Sequence, residues 1–403
     1  MFKILYQTLI GSIIFCMAIN VTLADVTHNS PPDIKIGMST ALSGPAQALG
    51  QEMKKGLECY FDKINAQGGI NGRKIRFIVM DDKYEPSLAA SNMHQLLEKD
   101  DVLAVIGNVG TPTAVVSVPI ANTDKTLLFA PYTGAGLLRK VPPDRYVINF
   151  RASYAEETDS MIKGLLSIGI KPEDIAFFIQ NDAYGESGYQ GAMQALKAEG
   201  YQKPESLAVG SYERNTLNVE EGLSQLINAK HAFKAIIIVG TYAPSAKFIK
   251  LAAKYFPDAY FLNVSFVGSE ALAQALQDVG NNKVIVTQVV PYLKSNLPAV
   301  NEYRQCLKQN NATAVPSFVS LEGYLAAKLF VTGLIEAAKN NNLSREGMID
   351  TFETMRNVDI GIGEPVSFDK TNHQALHSIW PTILQNGEFI QFQWQQLKKP
   401  IKK

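Results

Sequence analysis

Apolar residues along this chain recur first with the period of a strand, then with that of a helix, and the alternation repeats over most of its length. Ile34, Ile36 and Met38 alternate and predict a strand over Asp33–Ser39. Leu42-Ser43-Gly44-Pro45 turns the chain, and Met53, Leu57, Tyr60, Phe61 and Ile64 then line one face of a helix that Gly68-Gly69-Ile70-Asn71-Gly72 ends. Strand Ile75–Met80, helix Leu88–Lys99 and the bare apolar strand Val102–Gly107 follow. Helix Thr113–Asn122 and strands Thr126–Ala130 and Tyr146–Phe150 complete a first set.

The rhythm then restarts. Helix Glu156–Ser167 leads to strand Ile175–Gln180 and helix Ser187–Glu199. Helix Val219–Asn228, strand Ala235–Val239, helix Pro244–Tyr255, strand Tyr260–Val264, helix Glu270–Leu276 and strand Lys283–Thr287 come next. The tail differs: helices over Pro298–Gln309, Phe318–Asn340 and Arg345–Arg356 precede strands at Pro365–Phe368 and Phe389–Trp394, flanking the turn Asn386-Gly387-Glu388. Strand–helix alternation of this density specifies parallel sheets covered by helices. One sheet would not hold so many strands comfortably. The fold class expected is α/β, with two doubly wound parallel-sheet lobes, the second opening near Arg151. The helical tail returns to the first lobe and the last strands cross once more, so several crossings at one edge form a hinge beside a cleft.

The beginning of the chain changes the functional picture. Lys3, the apolar run Ile4–Ile19 and the small residues of Thr22-Leu23-Ala24 read as a signal peptide over residues 1–24, placing the mature protein in the periplasm. An exported α/β protein has no NAD or ATP pool to work on, and no cofactor is implied. No later segment is expected to reach the length of a transmembrane helix. The 38 basic residues balance the 38 acidic ones, which leaves no basic field for nucleic acid. Outside the signal only Cys59 and Cys306 remain; they are open to one bridge or to two small buried side chains.

Catalytic motifs are imperfect. Gly185-Glu186-Ser187-Gly188-Tyr189 follows a strand but lacks the second glycine of a nucleophile elbow, so a serine hydrolase using Ser187 and a late histidine, His373 or His377, is the weaker alternative. Ser39-Thr40-Ala41-Leu42-Ser43-Gly44 stands where a dinucleotide fingerprint would lie. His373 and His377 read as solvated loop residues and Asp81-Asp82 as a turn with solvated carboxylates, so no metal site is expected.

The words Ile34-Lys35-Ile36-Gly37, Leu42-Ser43-Gly44-Pro45, Ile64 through Gly72, Asp81-Asp82, Val105-Ile106-Gly107, Pro131 and Gln180-Asn181-Asp182-Ala183-Tyr184-Gly185 resemble, in order and spacing, type I periplasmic binding proteins. The branch is that of the leucine/isoleucine/valine-binding proteins of ABC transporters. The resemblance implies two lobes joined by a three-crossing hinge (periplasmic binding protein-like I). Lobe one would comprise residues 33–150 plus 288–357, and lobe two residues 151–287 plus 358–403. It also implies a monomer that captures an amino acid or similar small carboxylate and hands it to a membrane permease. A sensor presenting the same ligand to a receptor is the alternative.

Strand C-terminal ends face the cleft in open α/β sheets. In lobe one, the loop Asn108–Thr113 offers Thr111 and Thr113 beside a helix N-terminus that favours a carboxylate. Tyr132, Thr133 and Gly134 form a second loop, and Leu49 stands where branched-chain binders often place an aromatic, so the side-chain pocket is expected to differ. In lobe two the resemblance implies that Tyr184 and Tyr242 cover the ligand and Glu270 takes its ammonium; Tyr154, near the hinge, reaches toward the cleft. The family's usual cystine is absent around Lys83-Tyr84 and Gly110.

Overall fold

Five strands build the first sheet in the computed structural model, which describes residues 31–398 apart from 278 and 280; the signal peptide expected over residues 1–24 lies outside the described residues. They are β1 (Ile34–Thr40), β2 (Ile75–Asp81), β3 (Ala104–Ile106), β4 (Leu127–Phe129) and β5 (Val147–Ile148), all parallel, in the order β2-β1-β3-β4-β5. Helices α1 (Gln47–Ala66), α2 (Pro86–His94) and α3 (Thr111–Thr123) carry the crossovers. Strand β3 is buried on both faces, as its unbroken apolar sequence requires.

The second sheet repeats that winding. Strands β6 (Ile175–Gln180), β7 (Val209–Tyr212), β8 (Ala235–Val239), β9 (Tyr260–Asn263) and β10 (Val284–Gln288) lie parallel in the order β7-β6-β8-β9-β10. Helices α4 (Tyr154–Ser167), α5 (Ala183–Ala198), α6 (Glu220–Asn228), α7 (Tyr242–Ala252) and α8 (Ser269–Leu276) cover it. The shared strand order is an internal duplication of architecture that no repeated sequence words betray.

Helices α9 (Pro298–Asn310), α10 (Phe318–Lys339) and α11 (Arg345–Thr354) then pack against the first sheet. The Phe129 ring of β4 lies 4.8 Å from Phe352 of α11 and 5.3 Å from Phe330 of α10. Gly56 lets α1 and α10 touch through backbone: a Cβ there would sit 2.0 Å from Ser320 O. Cys59 of α1 and Cys306 of α9 are joined by a disulfide with a Cα–Cα distance of 6.1 Å. This resolves the choice that the sequence left open, and fastens the returning helices to the first lobe.

The chain crosses again to the second sheet, where β11 (Trp380–Gln385) runs antiparallel to β10 and pairs with β12 (Glu388–Gln391). On the way residues 373–376 run beside the earlier crossing: Asn149 N–H donates to His373 O at 2.7 Å, and Ala375 N–H to Asn149 O at 2.9 Å. Two of the three crossings between the sheets are thus laid side by side.

Four expectations are corrected. The strand expected at Pro365–Phe368 is only a single bridge, Val358 to Val366, and the strand before the turn is β11. Pro381 disguised it, yet its missing N–H falls near the start of the strand, where little pairing is lost. The α10 helix, 22 residues long, does reach the length and hydropathy of a membrane span; here it is a core helix, apolar all round because it is buried between α1 and α11. His373 is not solvated: it is buried, with Nδ1 2.9 Å from Val147 O and Nε2 3.4 Å from Glu353. Asp82 is also buried, accepting from Ser39 Oγ at 2.8 Å and Tyr84 N–H at 2.8 Å, and burial pushes its carboxyl up to about 6.

Candidate ligand-binding cleft

The C-terminal ends of both parallel sheets carry the loops where the lobes meet. Strand β3 leads into α3 at Thr111, and β4 runs on into Pro131–Ala135; opposite them stand the loops after β6, β8 and β9. Contacts cross the gap at several points. Tyr132 Oη donates to Ser265 O at 3.3 Å, Gln180 Nε2 to Tyr84 Oη at 3.3 Å, Ala48 N–H to Tyr242 Oη at 3.5 Å, and Gly136 N–H to Ser187 Oγ at 3.3 Å. At the rim, Arg214 Nη2 reaches Glu85 at 2.9 Å. The lobes are shut on one another.

Phe266, in the loop after β9, is the centre of the contact. Its ring lies 4.6 Å from Tyr184, 5.3 Å from Tyr132 and 6.1 Å from Tyr84, and the Tyr184 ring is 5.4 Å from Tyr154. All five are buried. Gly134 lies under Tyr154, where an added Cβ would come within 2.6 Å of the ring. Thr111 and Thr133 hydroxyls sit 2.6 Å apart, and Thr133 Oγ1 also accepts from Ala135 N–H at 3.2 Å. Thus Thr111, Tyr132, Thr133, Gly134, Tyr154 and Tyr184, widely spaced in sequence, form one group.

The other expected residues fall differently. Thr113 Oγ1 donates to Val109 O at 2.6 Å and to Gly110 O at 2.9 Å, so it holds the first turn of α3. Leu49 and Tyr242 both lie beside Gly268, next to the aromatic group but outside it. Glu270 accepts from Phe318 N–H of α10 at 3.3 Å and lines a separate cavity of about 660 Å³ with Tyr292, Phe318 and Phe389. The charged groups that it feels are Glu52 and Lys55.

Burial pushes the Glu270 carboxyl up to about 7, above the 4.5 of a free glutamate. A raised carboxyl favours the folded state while it is protonated, so this stabilisation is full below about 4.5 and is lost as the pH rises through about 7. Glu270→Gln is expected to remove that slope. Between pH 5 and pH 8 the melting temperature of the native protein should fall relative to the variant by roughly 2–4 °C, which parallel thermal melts would read directly.

Charge is concentrated at the hinge side of the aromatic group. Arg151 is buried with its guanidinium 4.3 Å above the Tyr132 ring; Nε lies 3.1 Å from Glu322 of α10 and Nη2 donates to Ser265 Oγ at 2.5 Å. Glu157 accepts from Ser265 N–H at 2.7 Å, Ser265 Oγ at 2.9 Å and Thr287 Oγ1 at 2.6 Å. Burial pushes Glu322 up to about 7 against the pull of Arg151. Burial also raises Tyr154 to about 12 and holds Tyr84, Tyr132 and Tyr184 well above the ordinary phenol range, so all four remain neutral at physiological pH.

Sequence reasoning missed Phe266, Tyr84 and Arg139. Arg139 donates to Ala135 O at 3.0 Å, Arg151 O at 2.8 Å and Gln374 Oε1 at 2.6 Å, locking the Thr133 loop to the hinge. Its signal was the basic pair Arg139-Lys140 closing the segment Gly134-Ala135-Gly136-Leu137-Leu138. Tyr84 was masked by the acidic pair before it; Asp82, by capping Tyr84 N–H, is what aims that ring. A hydrolase triad is not assembled around Ser187: His377 lies 2.6 Å from Glu156, and His373 is held by Val147 and Glu353. Among the described residues no group of three or more His, Cys, Asp or Glu could hold a metal.

These features match known proteins. A family model described as periplasmic binding protein matches residues 33–388. Leu/Ile/Val-binding protein homolog 7 of Brucella abortus is 25% identical over 381 residues, covering 89% of this chain and 90% of that one. The crystal structure of a possible leucine/isoleucine/valine-binding protein from Rhodopirellula baltica SH 1 is 42% identical with a TM-score of 0.89, covering 93% of this chain and 100% of that one. A substrate-binding periplasmic protein from Ralstonia solanacearum is 28% identical with a TM-score of 0.80, covering 89% of this chain and 100% of that one. The two duplicated lobes, their crossing hinge and the loops that meet at Phe266 are thus those of a solute binder, and the chain belongs to the periplasmic binding protein family, in its leucine/isoleucine/valine-binding branch.

Proposed function

We propose that the protein captures an amino acid or similar small carboxylate between its lobes in the periplasm and delivers it to the permease of an ABC importer. Residues 33–150 and 288–357 act as lobe one, and residues 151–287 and 358–403 as lobe two. The observation that carries this reading is the Thr111–Thr133 hydroxyl pair, 2.6 Å apart at the N-terminus of α3, with Tyr154 of the other lobe beside Thr133 and the Tyr184 ring packed on Tyr154. The first N–H groups of a helix lack intrahelical acceptors and favour an anion. Hydroxyls beside them add donors, and the rings exclude water, which strengthens each hydrogen bond. The Leu/Ile/Val-binding names of the relatives support the amino acid part of that class. Export rests on Met1–Ala24. The protein acts as a monomer and makes no bond in its ligand.

Contacts with both lobes make the closed form win when ligand is present. The test is calorimetry of the mature protein against the twenty amino acids and small aliphatic and aromatic acids. Thr111→Ala and Thr133→Ala are each expected to weaken binding of the ligand so found by roughly tenfold or more, the cost of about 1.5–3 kcal/mol for a lost hydrogen bond to a charged group. Unchanged affinity in both variants removes the site assignment.

A further inference from the structure

Resting on that reading, the hydrogen-bond inventory of the closed cleft narrows the guest. An α-amino acid brings a carboxylate and an ammonium, and a buried ammonium needs a negative partner with free lone pairs. The acids around the aromatic group are already engaged. Glu157 takes three donors from Ser265 and Thr287. Glu322 is paired with Arg151. Asp182 accepts from Tyr184 N–H at 2.9 Å and Gln180 Nε2 at 2.7 Å, with Arg214 at 3.3 Å. Glu270 is turned to Phe318 N–H and the outer cavity.

Donors, in contrast, are in surplus. Tyr154 Oη is buried and makes no hydrogen bond of normal length and angle, although Thr133 and Arg151 lie beside it. Arg151 Nη1 is buried without an acceptor. The Thr111–Thr133 pair holds two hydroxyl protons and only one is used between them, so the other is left for a ligand or for the Tyr154 oxygen beside it. These three donors surround the Tyr132–Gly134 loop. Of the unpartnered acceptors nearby, Asn263 Oδ1 and Asn149 Oδ1 are neutral amides that cannot neutralise an ammonium, and the carboxylate oxygen Glu322 Oε1 lies 3.1 Å from Arg151 Nε, whose charge answers it. The remaining walls are the rings of Phe266, Tyr184 and Tyr132.

We propose that the cleft is built for a monocarboxylate that carries no α-ammonium, with a flat or branched apolar body lying against Phe266 and Tyr184. Its carboxylate takes the free donors of Tyr154, the Thr111–Thr133 pair and Arg151. An amino acid of the same shape binds less well because its ammonium is desolvated without a counter-charge.

Matched pairs test this in the mature protein by calorimetry: 3-phenylpropanoate against phenylalanine, and 4-methylpentanoate against leucine, with phenethylamine as the ammonium-only control. In at least one pair the acid should bind tenfold or more tighter than the amino acid, with no heat from the amine. Tyr154→Phe, which keeps the ring and removes the donor, should weaken that acid roughly 5- to 20-fold while its melting temperature shows that the fold is retained. Tighter binding by the amino acid in both pairs overturns this proposal and leaves carboxylate capture standing. Binding by neither member of either pair overturns this proposal too, and the screen of the twenty amino acids and small acids then decides the reading beneath it.

Discussion

Replacing Arg151 by methionine is expected to lower stability by about 3–5 kcal/mol, the usual cost of stripping one partner from a buried ion pair. Methionine keeps much of the volume and the contact with the Tyr132 ring, so packing is a minor part of the effect. What is lost is the positive charge between Glu322, 3.1 Å from Nε, and the Ser265 loop that Glu157 holds. Both glutamates are buried, and without Arg151 each is driven further toward its protonated form. Two consequences separate this from a simple packing defect. The deficit should shrink as the pH falls from 8 to 5, because protonated Glu322 no longer needs a partner. Adding Glu322→Gln to the variant should recover part of the loss. Urea unfolding midpoints for the two single variants and the double variant, at both pH values, supply the cycle.

Removing the disulfide has the second largest expected effect. Cys59 and Cys306 are separated by 247 residues, so their link restricts the unfolded chain strongly; chain-entropy reasoning puts the limit near about 5 kcal/mol. Packing between α1, α9 and α10 remains in the reduced protein, so it should still fold. Cys59→Ser with Cys306→Ser is expected to cost about 2–5 kcal/mol and to lower the melting temperature by roughly 5–10 °C. A reductant should shift the native protein by a similar amount and leave the double variant unmoved. Equal melting of native and double variant would mean that the bridge contributes nothing to the fold.

Much of the architecture was legible because strand and helix periods are local properties. Ile175–Gln180 and Ala235–Val239, apolar runs bounded by turns, form strands with the ends their sequence predicts. Val209–Tyr212 was missed because it is a short edge strand with only two buried residues, and edge pairing leaves little trace in composition. Trp380–Gln385 was missed because pairing with β10 overrides the proline. The site was half legible. Thr111, Thr133 and Tyr184 sit at strand ends, which topology alone directs to the cleft. Phe266 gave no signal, since an aromatic in an apolar segment reads as core; only the meeting of the two lobes makes it the centre of the candidate site. Glu270 shows the converse limit. An acidic residue at the start of a helix fits a ligand contact, but where its carboxylate turns is set by Phe318, 48 residues away in sequence.

The central claim is that the halves of this molecule close around a small carboxylate. Small-angle scattering of the mature protein, free and saturated with whichever acid or amino acid calorimetry identifies, measures that closure directly. A smaller radius of gyration with ligand, reached in Thr111→Ala only at roughly tenfold higher ligand concentration, is the expected result. Tight binding with an unchanged scattering profile would contradict capture by closure.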